Sequence, residues 1–396
     1  MSNQDKVIYC KKCVISNQRP SSVVEFSKDS ISEKKMISFD SEGVCQACRY
    51  AEIKNEKIDW EKRERELIVL CDKYRSRNGS YDCVVPGSGG KDSSFTAHIL
   101  KYKYKMNPLT CTWAPHEYTN IGWRNFQKWI EVGGFDNILI TPNGKVHKLL
   151  TRIAFINICH PFQPFIIGQK IIGPKIALQN KIPLIFYGEN QAEYGNNIKE
   201  NDVPTMNNKF FTGNKDYENL LIGGINGNDL MDKYNLTKND LNLYMPISSE
   251  EFRGFDIAMH YLGYYLKWDP QEMFYYASEN TGFKPNEERT EGTYSKYSGI
   301  DDKMDTLHYF TTLIKFGIGR TSYDASQEVR TGKIDREEAV ALVNKFDSEI
   351  PKKYFSDILS YLEIKEDYFW EIIDQNRPDK LWKRDNNTWV LKHPLN

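Results

Sequence analysis

The chain has 396 residues, 40% hydrophobic and 13% aromatic, with 53 Lys plus Arg against 54 Asp plus Glu and a formal net charge of -1. Its length exceeds the roughly 250 to 300 residues at which a single core stops growing, so more than one folding unit is expected. Near neutrality leaves no charge excess for gripping nucleic acid or an anionic membrane. The most apolar run, Ile153 to Gly168, is broken by Asn157, His160, Pro161, Gln163 and Pro164, short of the roughly 18 clean apolar residues of a membrane span.

The opening "MSNQDKVIYC" has no apolar signal core, so a cytoplasmic, reducing location is expected. There close cysteine pairs point to metal rather than disulfides. "CKKC" (Cys10, Cys13) and "CQAC" (Cys45, Cys48) form two such pairs. Each Cys-x-x-Cys knuckle presents both sulfurs to one side, and two knuckles close a tetrahedral, structural zinc site. Residues 1–60 are therefore expected to be a zinc module. Cys71, Cys83, Cys111 and Cys159 are scattered and read as small core residues.

A charged helix is predicted from Asp59 to Tyr74, after which strands and helices alternate. Tyr81–Val85 is a strand, Ser93–Tyr104 a helix, Pro108–Trp113 a strand, Gly122–Val132 a helix and Phe135–Thr141 a strand. Lys145–Gln179 is helical with a break near Pro161 and Pro164, and Ile182–Tyr187 is a strand. This alternation predicts an α/β domain over 61–285 with a parallel sheet covered by helices on both faces, whose ligands bind at the carboxyl ends of the strands. Asn196–Met245, rich in Asn, Asp and Gly, reads as connecting or lid structure, and "HYLGYYLKW" (His260–Trp268) as a last strand. Residues 286–396 read as a helical C-terminal domain. In "DREEAVALVNKF", for example, Ala339, Leu342, Val343 and Phe346 share one face behind an Asp335 N-cap.

"YDCVVPGSGGKDSSF" (Tyr81–Phe95) carries the chemistry. The commoner phosphate loop needs a glycine five positions before its Gly-Lys pair and Ser or Thr after it; here those places hold Val85 and Asp92. Between a strand and a helix, Pro86, Gly87, Ser88, Gly89 and Gly90 nevertheless let backbone N–H groups and the helix N-terminus face a phosphate. Ser88 and Ser93 add hydroxyl donors, Lys91 a positive charge, and Asp92 an oxygen ligand for Mg²⁺.

The Ser-Gly-Gly-Lys-Asp-Ser order resembles the loop of the pyrophosphate-loop ATPases, which cleave ATP between the α and β phosphates. With "CKKCVISNQRP", "YGENQAEYG", "LGYYLKWDP", "EGTYSKYSGIDDKMDTLHY" and "KFGIGRTSYDASQEVRTGKIDREEAVALV", the chain from Cys10 to about Phe346 looks like the bacterial N-acetyl sugar amidotransferases of surface-polysaccharide and flagellar-glycan synthesis. The resemblance implies an adenine-nucleotide α-hydrolase-like fold. It also implies a carbon–nitrogen ligase reaction in which the acetamido group of a sugar, among them pseudaminic acid, legionaminic acid and lipopolysaccharide sugars, becomes acetamidino with ATP and ammonia, releasing AMP and PPi. Ser2 follows Met1 and no cysteine sits in a Gly-x-Cys-x-Gly elbow, so ammonia is expected from a separate glutaminase and cyclase-like subunit pair.

Placement gives the roles. Gly87 to Ser93 hold PPi and Mg²⁺. Thr112, Trp113 and Gly188 lie where similar enzymes seat adenosine, and Glu189 and Glu193 are placed to position the acceptor, Mg²⁺ or ammonia. Lys315 and Arg320 are placed to neutralise the α-phosphate or to bind a charged sugar. His308 reads as a core histidine rather than a base. A tRNA-modifying pyrophosphate-loop thiolase is the alternative, disfavoured by the net charge of -1 and the lack of a second cysteine cluster.

Overall fold

The structure, a computed structural model, describes residues 6–21, 36–255 and 257–396; the reading at Met1 and Ser2 lies outside them. Its centre is a five-stranded, all-parallel sheet of β1 (Cys83–Pro86), β2 (Pro108–Trp113), β3 (Asp136–Ile140), β4 (Leu184–Tyr187) and β5 (Ala258–Tyr261), in the order β3-β2-β1-β4-β5. Alternation along the strands divides the core. Val84, Leu109, Cys111, Trp113 and Ile185 face α5 (Gly144–Ile158) and α6 (Gln163–Asn180). Cys83, Val85, Leu184 and Phe186 face the other layer, with Phe95 of α3 (Lys91–Tyr102) and Phe126 of α4 (Asn120–Glu131). Two earlier helices precede the sheet, α1 (Gln46–Glu56) and α2 (Trp60–Tyr74), the second capped by Asp59.

The chain lays β2 and β3 on one side of β1, then crosses back through α5 and α6 to place β4 and β5 on the other. The loops after β1 and β4 therefore diverge at a topological switch point, which opens a crevice at their carboxyl ends. "PGSGGKDS" follows β1 and "GENQAEYG" follows β4, so both stretches meet at that crevice.

Three expectations differ from the structure. Only Ala258–Tyr261 of the last predicted strand is extended; Leu262–Tyr265 turns into a helix that seats the Gly263 amide on the Gly188 carbonyl at 2.9 Å. The 196–245 segment is not an open lid. Leu220, Ile222, Leu230, Leu241 and Tyr244 are buried in the α5/α6 core, and Gln163 ties the segment down by donating to the Leu221 carbonyl at 3.1 Å and accepting from Gly223 at 2.7 Å. The C-terminal region is helical through α7 (Asp305–Phe316), α8 (Arg320–Arg330), α9 (Arg336–Phe346), α10 (Phe355–Leu362) and α11 (Glu366–Gln375). It then closes with an antiparallel hairpin, Trp382–Asp385 and Thr388–Leu391, anchored by the Trp382 indole on the Ile314 carbonyl at 2.7 Å. No helix among the described residues is long and apolar enough to cross a membrane.

The start of α8 is set by Asp347, a buried carboxylate that accepts from Gly319 N at 2.8 Å, Ser322 N at 2.9 Å and Ser322 Oγ at 2.7 Å. Burial raises its pKa from 3.8 to about 6 despite those bonds. Between these values the folded chain keeps a proton that the unfolded chain has lost, so the stability this group contributes is full below pH 3.8 and lost as pH rises through about 6. Asp347→Asn turns an amide N–H₂ against an N–H or O–H donor and is expected to cost about 1–3 kcal/mol. In thermal denaturation, the wild type's advantage over the variant is expected to shrink as pH rises from about 4 to about 7.

Candidate active site and cysteine centre

The loop after β1 takes its shape from glycine. Gly89 has φ of +81°, and a Cβ there would stand 2.8 Å from the Phe126 Cα; at Gly87 it would stand 2.2 Å from Ser93 Cβ. The chain can thus press against the start of α4 and double back to begin α3 at Lys91, whose first amides open towards the crevice. Ser93 and Ser94 brace the turn by donating to Gly90 O at 3.1 Å and Gly89 O at 3.3 Å. The Lys91 ammonium lies 2.6 Å from both Asp92 oxygens.

Two cavities meet at Ser88. One, of about 180 Å³, is bounded by Ser88 to Asp92 on one wall and by Gly299, Asp301 and Arg320 on the other. It is strongly charged. Arg320 bonds Asp324 at 3.0 Å and lies over the Tyr309 ring, 4.4 Å from its centroid. Burial works to lower the pKa of Arg320, but Asp324, Tyr309 and Asp305 more than offset it, so the guanidinium stays charged. Asp301 and Asp305 are pushed up, the latter to about 8, by burial and by the neighbouring carboxylates, while a hydrogen bond from Ser88 works the other way on Asp301. Glu189 is likewise raised, by burial and then by the charge of Asp92, against the pull of Lys91 and a hydrogen bond from Tyr194. Carboxylates raised together around the loop share a deficit of positive charge, and the oxygens of Asp92 and Asp301, which line the cavity, suit Mg²⁺.

The second cavity, of about 430 Å³, runs from Pro86, Gly87 and Ser88 over Trp113 and Tyr187 to Phe210 and Tyr261, and is mostly apolar. Buried Trp113 Nε1 and Tyr187 Oη face no hydrogen-bond partner among the described residues. With Gln169, Lys170 and Gln191 at its edge, this aromatic-lined slot has the form of a site for a planar heterocycle.

The predicted residues divide accordingly. Pro86 to Asp92, Trp113, Glu189 and Arg320 are brought together, with Ser93 beneath the loop. Thr112 is not with them: its side chain lies on the opposite face of β2, accepting from Asn137 at 3.1 Å. Gly188 contributes close packing, since a Cβ there would stand 2.9 Å from the Trp268 ring. Glu193 points away from the crevice into a buried pair with Lys54 at 2.8 Å, and Lys315 donates to the Ile158 carbonyl at 2.9 Å, capping α5. His308 stacks on Phe162 at 4.7 Å, within the α5/α6 packing. Asp301 and Asp305 were overlooked by the sequence reading, although the acidic run "SGIDDKMD" just after a glycine was a usable signal.

Cys10, Cys13, Cys45 and Cys48 are all buried, with their sulfurs within 4.8 Å of one another. Backbone amides of Lys12 and Cys45 point at the Cys10 sulfur at 3.4 and 3.3 Å. The Cys10 thiol is pulled far down by its three partners while Cys45 and Cys48 are pushed up. Four thiolates cannot share this space without a cation among them, so the donor set fits a closed tetrahedral metal site.

Residues 291–395 match the family model described as LPS biosynthesis protein WbpG-like, C-terminal domain. An 85-residue stretch, 22% of this chain, is 31% identical to uncharacterized protein MJ1599 of Methanocaldococcus jannaschii and spans only 30% of that relative's length. Among solved structures, NMN synthetase from Francisella tularensis overlaps 74% of this chain and 94% of its own at 11% identity and a TM-score of 0.35. The NH3-dependent NAD synthetase from Campylobacter jejuni overlaps 57% and 94% at 12% identity and 0.27. The U34-tRNA thiolase NcsA from Methanococcus maripaludis, with its [4Fe-4S] cluster, overlaps 84% and 93% at 12% identity and 0.30. At these scores the fold rests on the chain's own sheet order and loop, which have the architecture of a pyrophosphate-loop α/β domain, joined to a cysteine module and a WbpG-like C-terminal domain.

Purified protein is expected to carry a stoichiometric tetrahedral ion by elemental analysis. Cys45→Ser is expected to lose it and to melt at a clearly lower temperature.

Proposed function

We propose that the chain is an ATP-dependent amidotransferase that converts the acetamido group of a bacterial surface-glycan sugar to an acetamidino group, releasing AMP and PPi. The observation that carries this reading is the convergence of the Ser88–Asp92 loop, Asp301 and Arg320 on one crevice beside an aromatic slot, with the Glu189 carboxylate close enough to feel Asp92 and Lys91. The WbpG-like match to a domain of LPS biosynthesis proteins supports a sugar as acceptor.

In this reading the purine lies in the slot lined by Trp113 and Tyr187, and the triphosphate crosses Ser88 into the charged cavity. Mg²⁺, held by Asp92 and Asp301, would screen the phosphates. The amide oxygen attacks the α-phosphorus; an O–P bond forms, the Pα–O–Pβ bond breaks, and PPi remains against the loop amides and Lys91. Arg320 faces the charge that develops, where a preorganised cation has most effect. Ammonia then attacks the activated carbon. Glu189, raised by burial and so a better proton acceptor than an ordinary carboxylate, takes a proton from the new ammonium as the C–O bond to AMP breaks. The cysteine module holds zinc and takes no part in the bond changes. Ammonia comes from a separate glutaminase and cyclase-like pair, which free ammonium replaces in vitro.

Incubation with ATP, Mg²⁺, ammonium and an acetamido sugar is expected to give AMP, PPi and a sugar lighter by the difference between O and NH. Sulfur incorporation into tRNA without such a product would overturn the reading. Arg320→Ala is expected to lower kcat by about 10²–10³-fold. Gly89→Ala, forced against the α4 backbone at positive φ, is expected to weaken ATP binding in calorimetry by at least about tenfold.

A further inference from the structure

Between the cysteine quartet and the crevice runs a set of buried polar contacts that the bond changes above do not use. Helix α1 starts within the second cysteine pair and carries Lys54 on its last turn. That side chain is only 3% exposed, and its ammonium bonds Glu193 at 2.8 and 3.0 Å and the Trp268 carbonyl at 3.0 Å. From the first pair's side, Arg19 lies between the rings of Tyr194 and Tyr323, 5.5 and 5.0 Å from their centroids, and donates to the Tyr194 carbonyl. Arg330, at the end of α8, donates to the Glu193 carbonyl at 3.4 Å.

Three cations, Lys54 buried and Arg19 and Arg330 half-buried, thus converge on the short turn Gln191–Tyr194. Burying even one ammonium is costly unless it is paired and fully hydrogen-bonded, and a connecting turn at the surface needs none. What the turn carries forward is the Tyr194 hydroxyl, which donates to Glu189, the carboxylate beside Asp92 and the pyrophosphate loop. We propose that the cysteine module is a positioning element of the reactive centre: Lys54, Arg19 and Arg330 clamp the Gln191–Tyr194 turn and, through Tyr194, hold Glu189 against the loop. The clamp explains why a metal-closed module without its own catalytic group packs directly on the loop after β4. It rests on the reading above only for the part Glu189 plays in the reaction.

The test uses the full chain with Lys54→Met. Metal content and circular dichroism are expected to match the wild type, while deuterium uptake rises across 188–195. The kcat for AMP formation is expected to fall about 10- to 100-fold, with KM for ATP within about twofold. Lys54→Arg should recover part of the rate. Unchanged uptake over 188–195 would overturn the proposal. So would uptake rising throughout the chain together with loss of the metal, which would make Lys54 a general structural residue. Should Lys54→Met fail to fold, Tyr194→Phe removes only the hydroxyl on Glu189; a wild-type kcat in that variant would overturn the proposal equally. If the wild type forms no AMP with any acceptor, the assigned reaction fails, and the exchange measurement on Lys54→Met still decides for or against the clamp.

Discussion

The reversal of strand order between β1 and β4 is the constraint on which the rest of this structure depends. Parallel strands connected on one side leave no gap at their ends; only where the chain changes direction do two neighbouring loops part. Here that parting receives a glycine turn from one side and a carboxylate-bearing turn from the other. The glycines let the first loop sink until α4 lies directly behind it, so its amides and the start of α3 face the opening. The C-terminal region supplies the far wall, bringing Asp301 and Arg320 from a distant part of the chain.

Electrostatics then gives the crevice its character. Glu189, Asp301 and Asp305 are all raised, chiefly by burial and next by one another or by Asp92 and Asp302, while Lys91 is occupied by Asp92 and Arg320 by Asp324. A site with its cations engaged and its carboxylates half-compensated is poised for a ligand that brings its own metal. The neighbouring slot differs in kind: mostly apolar and lined by aromatic rings. The two surfaces share Ser88, so one extended ligand with a flat apolar end and a highly charged end satisfies both.

Much of this was legible in the sequence, because the signals were local. β2 begins and ends where its apolar run does, Asp335 caps α9, and the loop's glycines declare its backbone. The cysteine pairs also announced their own meeting. What escaped depended on partners distant in the chain. Glu193 looked equivalent to Glu189, four residues earlier, but one meets the Tyr194 hydroxyl near Asp92 and the other meets Lys54. Thr112 and Trp113 are adjacent, yet strand alternation sends them to opposite faces. Lys315 was judged by its closeness to Arg320, whereas Gly317 ends one helix and Gly319 precedes the next, turning the two side chains to different surroundings. The polar 196–245 segment hid its buried residues because they are scattered through short turns without a sustained period.

Helix α8 has Arg320 at its first position, in the wall of the charged cavity, and Arg330 at its last, beside the cysteine sulfurs. It is therefore a ruler as much as a scaffold. Its length fixes the spacing between the two centres, and its pitch fixes their relative orientation. One residue added between the two arginines would turn one end about 100° against the other and slide it about 1.5 Å, so no single insertion could preserve both contacts. No residue of this helix is exposed and five are buried, so a change in its length is felt at both ends at once.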